Sequence, residues 1–189
     1  MCRAMGESRI TCRHVALLRA VNVGGQNRIS MASLRELLQA LGYGEVRTHL
    51  QSGNVVFTAP GKAPGRARQE IERALIEQLG VDARVLVRSR EELELAVAAN
   101  PLLDVASDPA RLLVTFLSRS PDRDLISELA QADFEPDVFA LGEREIYVWC
   151  PEGVHATKLG NAFWEKRLGV VATARNWRTV TKLLEMAGE

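Results

Sequence analysis

One order of secondary elements is written twice along this chain, and that repetition narrows the possible folds more than composition does. Val15-Ala16-Leu17-Leu18 is a short apolar run that ends before a Gly24-Gly25 loop. From Met31 onward, Leu34, Leu37, Leu38 and Leu41 recur at helical spacing, with Ser30 placed to cap the start and Gly42 to stop the end. Residues 46–51 and 54–58 flank Ser52-Gly53, a tight-turn pair that predicts a two-residue hairpin loop. Ile71, Ala74, Leu75 and Leu79 define a second amphipathic helix, stopped at Gly80, and residues 83–87 supply another strand. The order is β-α-β-β-α-β.

After a linking helix over 90–99, ended by Asn100-Pro101, the same order returns. Its parts are a strand at 112–117, a helix at 122–132, a hairpin of 138–141 and 145–150, a helix at 157–167 and a strand at 170–173. A last helix, 179–187, carries Val180, Leu183, Leu184 and Ala187 on one face. The expected fold class is therefore α+β, with two ferredoxin-like subdomains at 14–88 and 111–189, a linking helix and loop at 89–110, and a C-terminal helix. Residues 1–13 read as a loose extension. The competing architecture is a single mixed sheet with helices on both faces.

Twenty-four basic and 24 acidic side chains cancel, so no net field holds DNA or an acidic membrane, and any nucleic-acid role must be local. Cys2, Cys12 and Cys150 are odd in number and lack metal-ligand spacing, which argues against a disulfide framework or zinc site and for a reducing compartment. No run of about 18 apolar residues appears, so the expected location is the cytoplasm, with no membrane partner. No motif signals a cofactor or a metal.

Three polar clusters, at 22–27, 51–54 and 175–179, sit at the ends of apolar segments, where binding sites are usually built. With a two-residue hairpin loop, Gln51 pairs with Asn54, His49 with Val56 and Arg47 with Thr58. The first sheet then carries Arg47, His49, Gln51, Asn54 and Thr58 on the face away from its helices, where Arg19 and Arg84 also extend. Such a face is either the wet side of an open sheet or a polar contact with the second unit. As a ligand platform, it offers guanidinium groups that grip phosphate or carboxylate through paired hydrogen bonds. The candidate ligand-binding residues are Arg19, Asn22, Gly24, Gly25, Gln51, Asn54 and Arg175, for an anionic small molecule or nucleic acid. Within the last cluster, Asn176 and Trp177 suit capping and anchoring of the final helix, which leaves Arg175 as its functional residue.

Other chemistry has less footing. Gly24-Gly25 lacks the spacing of a dinucleotide fingerprint and the ending of a P-loop. Tyr147 and Trp149 alternate on one face of a strand, with Phe116 on a neighbouring one, as the stacking aromatics of RNA-binding sheets do, yet core or inter-unit packing accounts for them and the basic-aromatic RNA motif is missing. His14, His49 and His155 are scattered, and no nucleophile elbow or metal helix appears. The alternatives to a binding protein are an enzyme whose site forms between the units, requiring His49 or His155 beside a carboxylate, and a structural module in which the polar face meets the second unit.

The segments 16–25 (ALLRAVNVGG), 47–57 (RTHLQSGNVVF) and 174–180 (ARNWRTV) closely resemble the bacterial family called domain of unknown function 1697. The resemblance runs from His14 to near the end of the chain. It implies two α+β subdomains similar to ferredoxin-like units and supplies no activity. Ala20 stands where that family usually has Gly, Ser30 where Pro is common, His49 where an aromatic is usual, and Ala174 where Thr is common.

Overall fold

A computed structural model describes residues 13–24 and 27–189, and the repeated pattern becomes two four-stranded antiparallel sheets. The first unit runs β1 (Arg13–Leu18), α1 (Met31–Ala40), β2 (Gly44–His49), β3 (Asn54–Thr58), α2 (Pro64–Leu79) and β4 (Val85–Ser89), and α3 (Arg90–Ala98) leads out of it. The second runs β5 (Leu112–Leu117), α4 (Arg123–Ser127), β6 (Val138–Leu141), β7 (Glu145–Trp149), α5 (Asn161–Leu168) and β8 (Ala172–Asn176), followed by α6 (Trp177–Gly188). Strand orders are β2-β3-β1-β4 and β6-β7-β5-β8, the same permutation twice. Two ferredoxin-like units are thus present, and the single mixed sheet is excluded.

Strand β1 shows why both sheet faces are covered. It is apolar at every position from Val15 to Leu18, whereas a strand with one wet face alternates. Ala16 and Leu18 join Val55 and Phe57 under α1 and α2. Val15, Leu17, Val56 and Leu86 point the other way into a central core. That core is shared with Leu93 and Ala96 of α3, Val180, Leu183 and Met186 of α6, and Val114, Phe116, Tyr147 and Trp149 of the second sheet. The outer face of the second sheet packs Ile146 and Val148 on Trp164 and Leu168 of α5. The first sheet's inner face is therefore apolar at its centre and polar only at its margins. At one margin Arg13 and Arg47 both donate to the Met186 carbonyl, capping the C-terminal end of α6, where the helix dipole favours cations.

The hairpin departs from its predicted register. His49 pairs with Asn54 and Thr48 with Val55, so the loop is the four residues 50–53. Asn54 closes it, its Nδ2 donating to the His49 carbonyl and Ser52 Oγ, both at 2.9 Å, while Leu50 takes a left-handed φ of 58°. The slip is two residues, so parity and hence the predicted faces survive. Elsewhere α4 ends at Ser127, because an extended backbone at Ala130 turns Phe134 onto Phe139 and Phe163, with ring centroids 5.7 and 5.4 Å away. Helix α5 starts only at Asn161, since Thr157 Oγ1 is spent on the Leu159 N–H in a preceding turn. Strand β8 runs to Asn176, because its ladder with β5 continues to Leu113.

Gly53 fixes where the hairpin meets β1. Its carbonyl accepts the Leu18 N–H at 2.9 Å, its φ is +72°, and a Cβ there would stand 2.6 Å from Val21 Cγ2 and 2.7 Å from Leu18 Cβ. Gly61 shares the left-handed φ but has nothing within 4 Å of that position. Urea denaturation is expected to show Gly53→Ala costing about 3 kcal/mol and Gly61→Ala about 1 kcal/mol, the difference being steric overlap. Equal costs would mean that the close approach contributes nothing.

Candidate functional site

The three polar clusters converge, and Arg175 is where they meet. It is the penultimate residue of β8, opposite Val114 of β5, and its side chain reaches out of the second unit into the first. Nε donates to Asn54 Oδ1 at 2.5 Å; Nη1 donates to Thr173 Oγ1 and the Ala174 carbonyl, both at 2.8 Å. Nη2 donates to the Leu18 carbonyl at 2.8 Å and the Ser52 carbonyl at 3.1 Å. A guanidinium has five N–H groups, and all five are used. None of the acceptors is a carboxylate. Burial, and then the charge of Arg19, lower the Arg175 pKa to about 10, which leaves it charged at neutral pH.

The first unit returns the same contact. Arg88 is the penultimate residue of β4, opposite Val15 of β1, and is fully buried. Its Nη2 donates to the Leu117 carbonyl at 2.7 Å and the Arg144 carbonyl at 3.4 Å, and its Nε to Glu145 Oε1 at 3.4 Å. The partners correspond: Leu18 and Leu117 end β1 and β5, and Asn54 and Glu145 begin β3 and β7. Each arginine is followed by the cap of a helix in the central core, Ser89 for α3 and Asn176 for α6.

The other predicted site residues surround this interlock. Arg19 forms a two-pronged pair with Glu165, Nε to Oε1 at 3.1 Å and Nη2 to Oε2 at 3.0 Å. Asn22 clamps the loop after β1 to the hairpin, its Nδ2 donating to the Ile29 and Gln51 carbonyls at 2.9 and 2.7 Å while its Oδ1 accepts the Ile29 N–H at 2.9 Å. Asn54 is fully buried and Gln51 is exposed, contributing its backbone carbonyl. Gly24 is exposed with a φ of +63°, and Gly25 lies outside the described residues. Beside Asn22, an open depression of about 360 Å³ is lined by Arg28, Ile29 and Ser30. Among the described residues, the side-chain donors of Arg175 and Asn22 are therefore engaged within the protein.

A second meeting of the units is open. A cavity of about 490 Å³ collects Arg68 of α2, Arg88 of β4, Arg119 after β5 and Arg144 of the β6–β7 turn, with Glu92 the single carboxylate in its lining. Ser118 and the uncapped first turn of α2 at Pro64-Gly65 complete it. Arg144 Nη1 pairs with Glu92 Oε1 at 3.0 Å, Arg68 lies a loose 3.7 Å from Glu72, and Arg119 donates one hydrogen bond, to the Gly169 carbonyl. Sequence reasoning missed this group because its arginines come from four elements with no local cluster. The available signal was Arg88 directly after the apolar run Val85-Leu86-Val87, a charge that a buried strand carries only with partners across a contact.

Among the described residues neither His49 nor His155 bonds to a carboxylate, and neither lines the depression beside Asn22 or the arginine-lined cavity. No group of three or more His, Cys, Asp or Glu among the described residues is placed to hold a metal ion. Tyr147, Trp149 and Phe116 are central-core residues, Asn176 caps α6 through the Thr179 N–H at 2.9 Å, and Trp177 packs on the central core. No helix among the described residues is long and apolar enough to cross a membrane.

Two measurements check these assignments. Arg175→Met is expected to cost about 3 kcal/mol in urea denaturation, because it strands five acceptors, while Arg19→Met, which breaks a part-exposed pair, costs about 1 kcal/mol. Similar losses would deny Arg175 its interlocking role. Burial, reinforced by the charge of Asp137, pushes the Cys150 thiol up to about 11. In a Cys2→Ser/Cys12→Ser variant at pH 8, native protein should resist iodoacetamide and react only when unfolded; rapid native alkylation would refute the burial.

Comparison with known proteins agrees with this architecture. A solved structure, that of the conserved bacterial protein SP0830 from Streptococcus pneumoniae, is similar with a TM-score of 0.72 at 24% identity, covering 94% of this chain and 99% of that one. At that identity the likeness concerns the fold. No curated protein matches the chain. The family model described as protein of unknown function (DUF1697) matches residues 12–147, and the chain therefore belongs to that family.

Proposed function

We propose that this protein binds an anionic, phosphate-bearing small molecule, and that the ligand enters the arginine-lined cavity between the two units. One observation carries the reading: four arginines from four segments of the chain line a cavity of about 490 Å³, and among the described residues its lining offers one carboxylate. Paired N–H groups of arginine match the oxygens of a phosphate, and a helix's first turn favours negative charge. Arg119 and Arg68 are the donors with most capacity to spare, since Arg88 is spent on the second unit and Arg144 is shared with Glu92. Of the seven residues that the sequence offers for a ligand, Arg19, Asn22, Asn54 and Arg175 serve in this reading as fastening within and between the units. The balanced net charge and the sparse cysteines fit a cytoplasmic protein that meets small anions rather than long nucleic acid.

The test is calorimetric titration with inorganic phosphate at low salt, comparing wild type with an Arg68→Ala/Arg119→Ala variant whose fold is checked by circular dichroism. The variant should bind at least about tenfold more weakly, the loss of one or two charge-assisted hydrogen bonds. Unchanged affinity, or no binding by the wild type, would overturn the proposal.

A further inference from the structure

A second cavity, of about 430 Å³, adjoins the first and shares Arg88, Glu92 and Arg144 with it. Its character differs. One wall is a single face of α3, where Glu92, Leu95, Ala96 and Ala99 recur at helical spacing, and the opposite side holds Glu143 and Glu145. Leu95 is 68% exposed, which leaves a large apolar side chain uncovered beside a charged bar. Glu145 is occupied by Arg88 and by the Arg144 N–H, whereas Glu143 makes no side-chain hydrogen bond among the described residues. The Arg144–Glu92 pair, 3.0 Å long, thus divides a basic compartment from one with an apolar wall and an available acceptor.

We infer that the ligand of the arginine-lined cavity is a nucleoside monophosphate whose base carries an exocyclic amino group. The inference rests on the anion-binding reading above and extends it to the neighbouring compartment. The phosphate takes the arginine side, the sugar crosses the Arg144–Glu92 bar, and the flat base lies over Leu95 and Ala99 while its amino group donates to the Glu143 carboxylate. Such a bipartite site suits a ligand with one charged end and one ring, because an apolar wall with a few placed polar groups is what fixes a small ligand's orientation. Inorganic phosphate alone would use half of it.

The experiment compares inorganic phosphate, ribose 5-phosphate, AMP, CMP and UMP by calorimetry, on wild type and on Leu95→Ser and Glu143→Ala variants. AMP and CMP should bind about tenfold more tightly than ribose 5-phosphate and UMP, a gain of the size one buried ring contact and one charge-assisted hydrogen bond provide. Both variants should lose most of that gain and keep inorganic phosphate affinity. If phosphate binds but AMP is no tighter than ribose 5-phosphate or UMP, or if neither variant weakens AMP, this inference falls and the anion-binding reading stands. If phosphate does not bind, both fall together.

Discussion

The architecture depends on a reciprocal exchange of arginines. Arg88 leaves the first unit to bond the carbonyl that ends β5, and Arg175 leaves the second to bond the carbonyl that ends β1. Each also holds the first residue of the partner's third strand, Glu145 in one case and Asn54 in the other. Planar, many-donor side chains at matched positions fix orientation as well as proximity, which apolar contacts alone do not. The apolar residues between them, from both sheets and from α3 and α6, supply the burial that makes the contact stable. Removing either arginine would leave strand-end carbonyls without donors inside that contact.

The two exchanges are alike in geometry and unlike in charge. Around Arg175 the acceptors are neutral, and the neighbouring Arg19 is balanced by Glu165. Around Arg88 the buried partner is a carboxylate, and three further arginines gather outside it: Arg144 is paired with Glu92, Arg68 lies loosely against Glu72, and Arg119 meets no acid among the described residues. An anion arriving at the first place finds the Arg175 donors already committed to the protein. At the second it finds Arg68 and Arg119 with donors to give, beside a helix start. The same fastening that joins the units thus leaves one polar edge closed and the other open.

Much of this was legible in the residues, and the exceptions have physical causes. The repeat was readable because Leu34, Leu37, Leu38 in one unit and Val180, Leu183, Ala187 at the end mark helical faces, and because the strands between them are apolar runs. The hairpin was placed correctly but its loop was read as two residues, since nothing local showed that Asn54 would bond back to the His49 carbonyl and Ser52. Arg175 was singled out as the member of its cluster that capping could not explain. Its destination, five acceptors mostly far away in sequence, required the two units to be docked first. The open cavity was invisible for the same reason: Arg68, Arg119 and Arg144 belong to no motif and become a group only when four elements are brought together. Val15 and Leu17, apolar on both sides of Ala16, carried the unused hint that the first sheet has no wet face.

The most direct test of where an anion goes is a titration of inorganic phosphate into isotope-labelled protein, followed by nuclear magnetic resonance of backbone amides and arginine Nε–H groups. The account predicts shifts concentrated at Gly65, Arg68, Ser118 and Arg119, with Arg19, Asn54 and Arg175 unmoved. Shifts centred on Arg19, Gly24, Asn54 and Arg175, with the cavity silent, would contradict it.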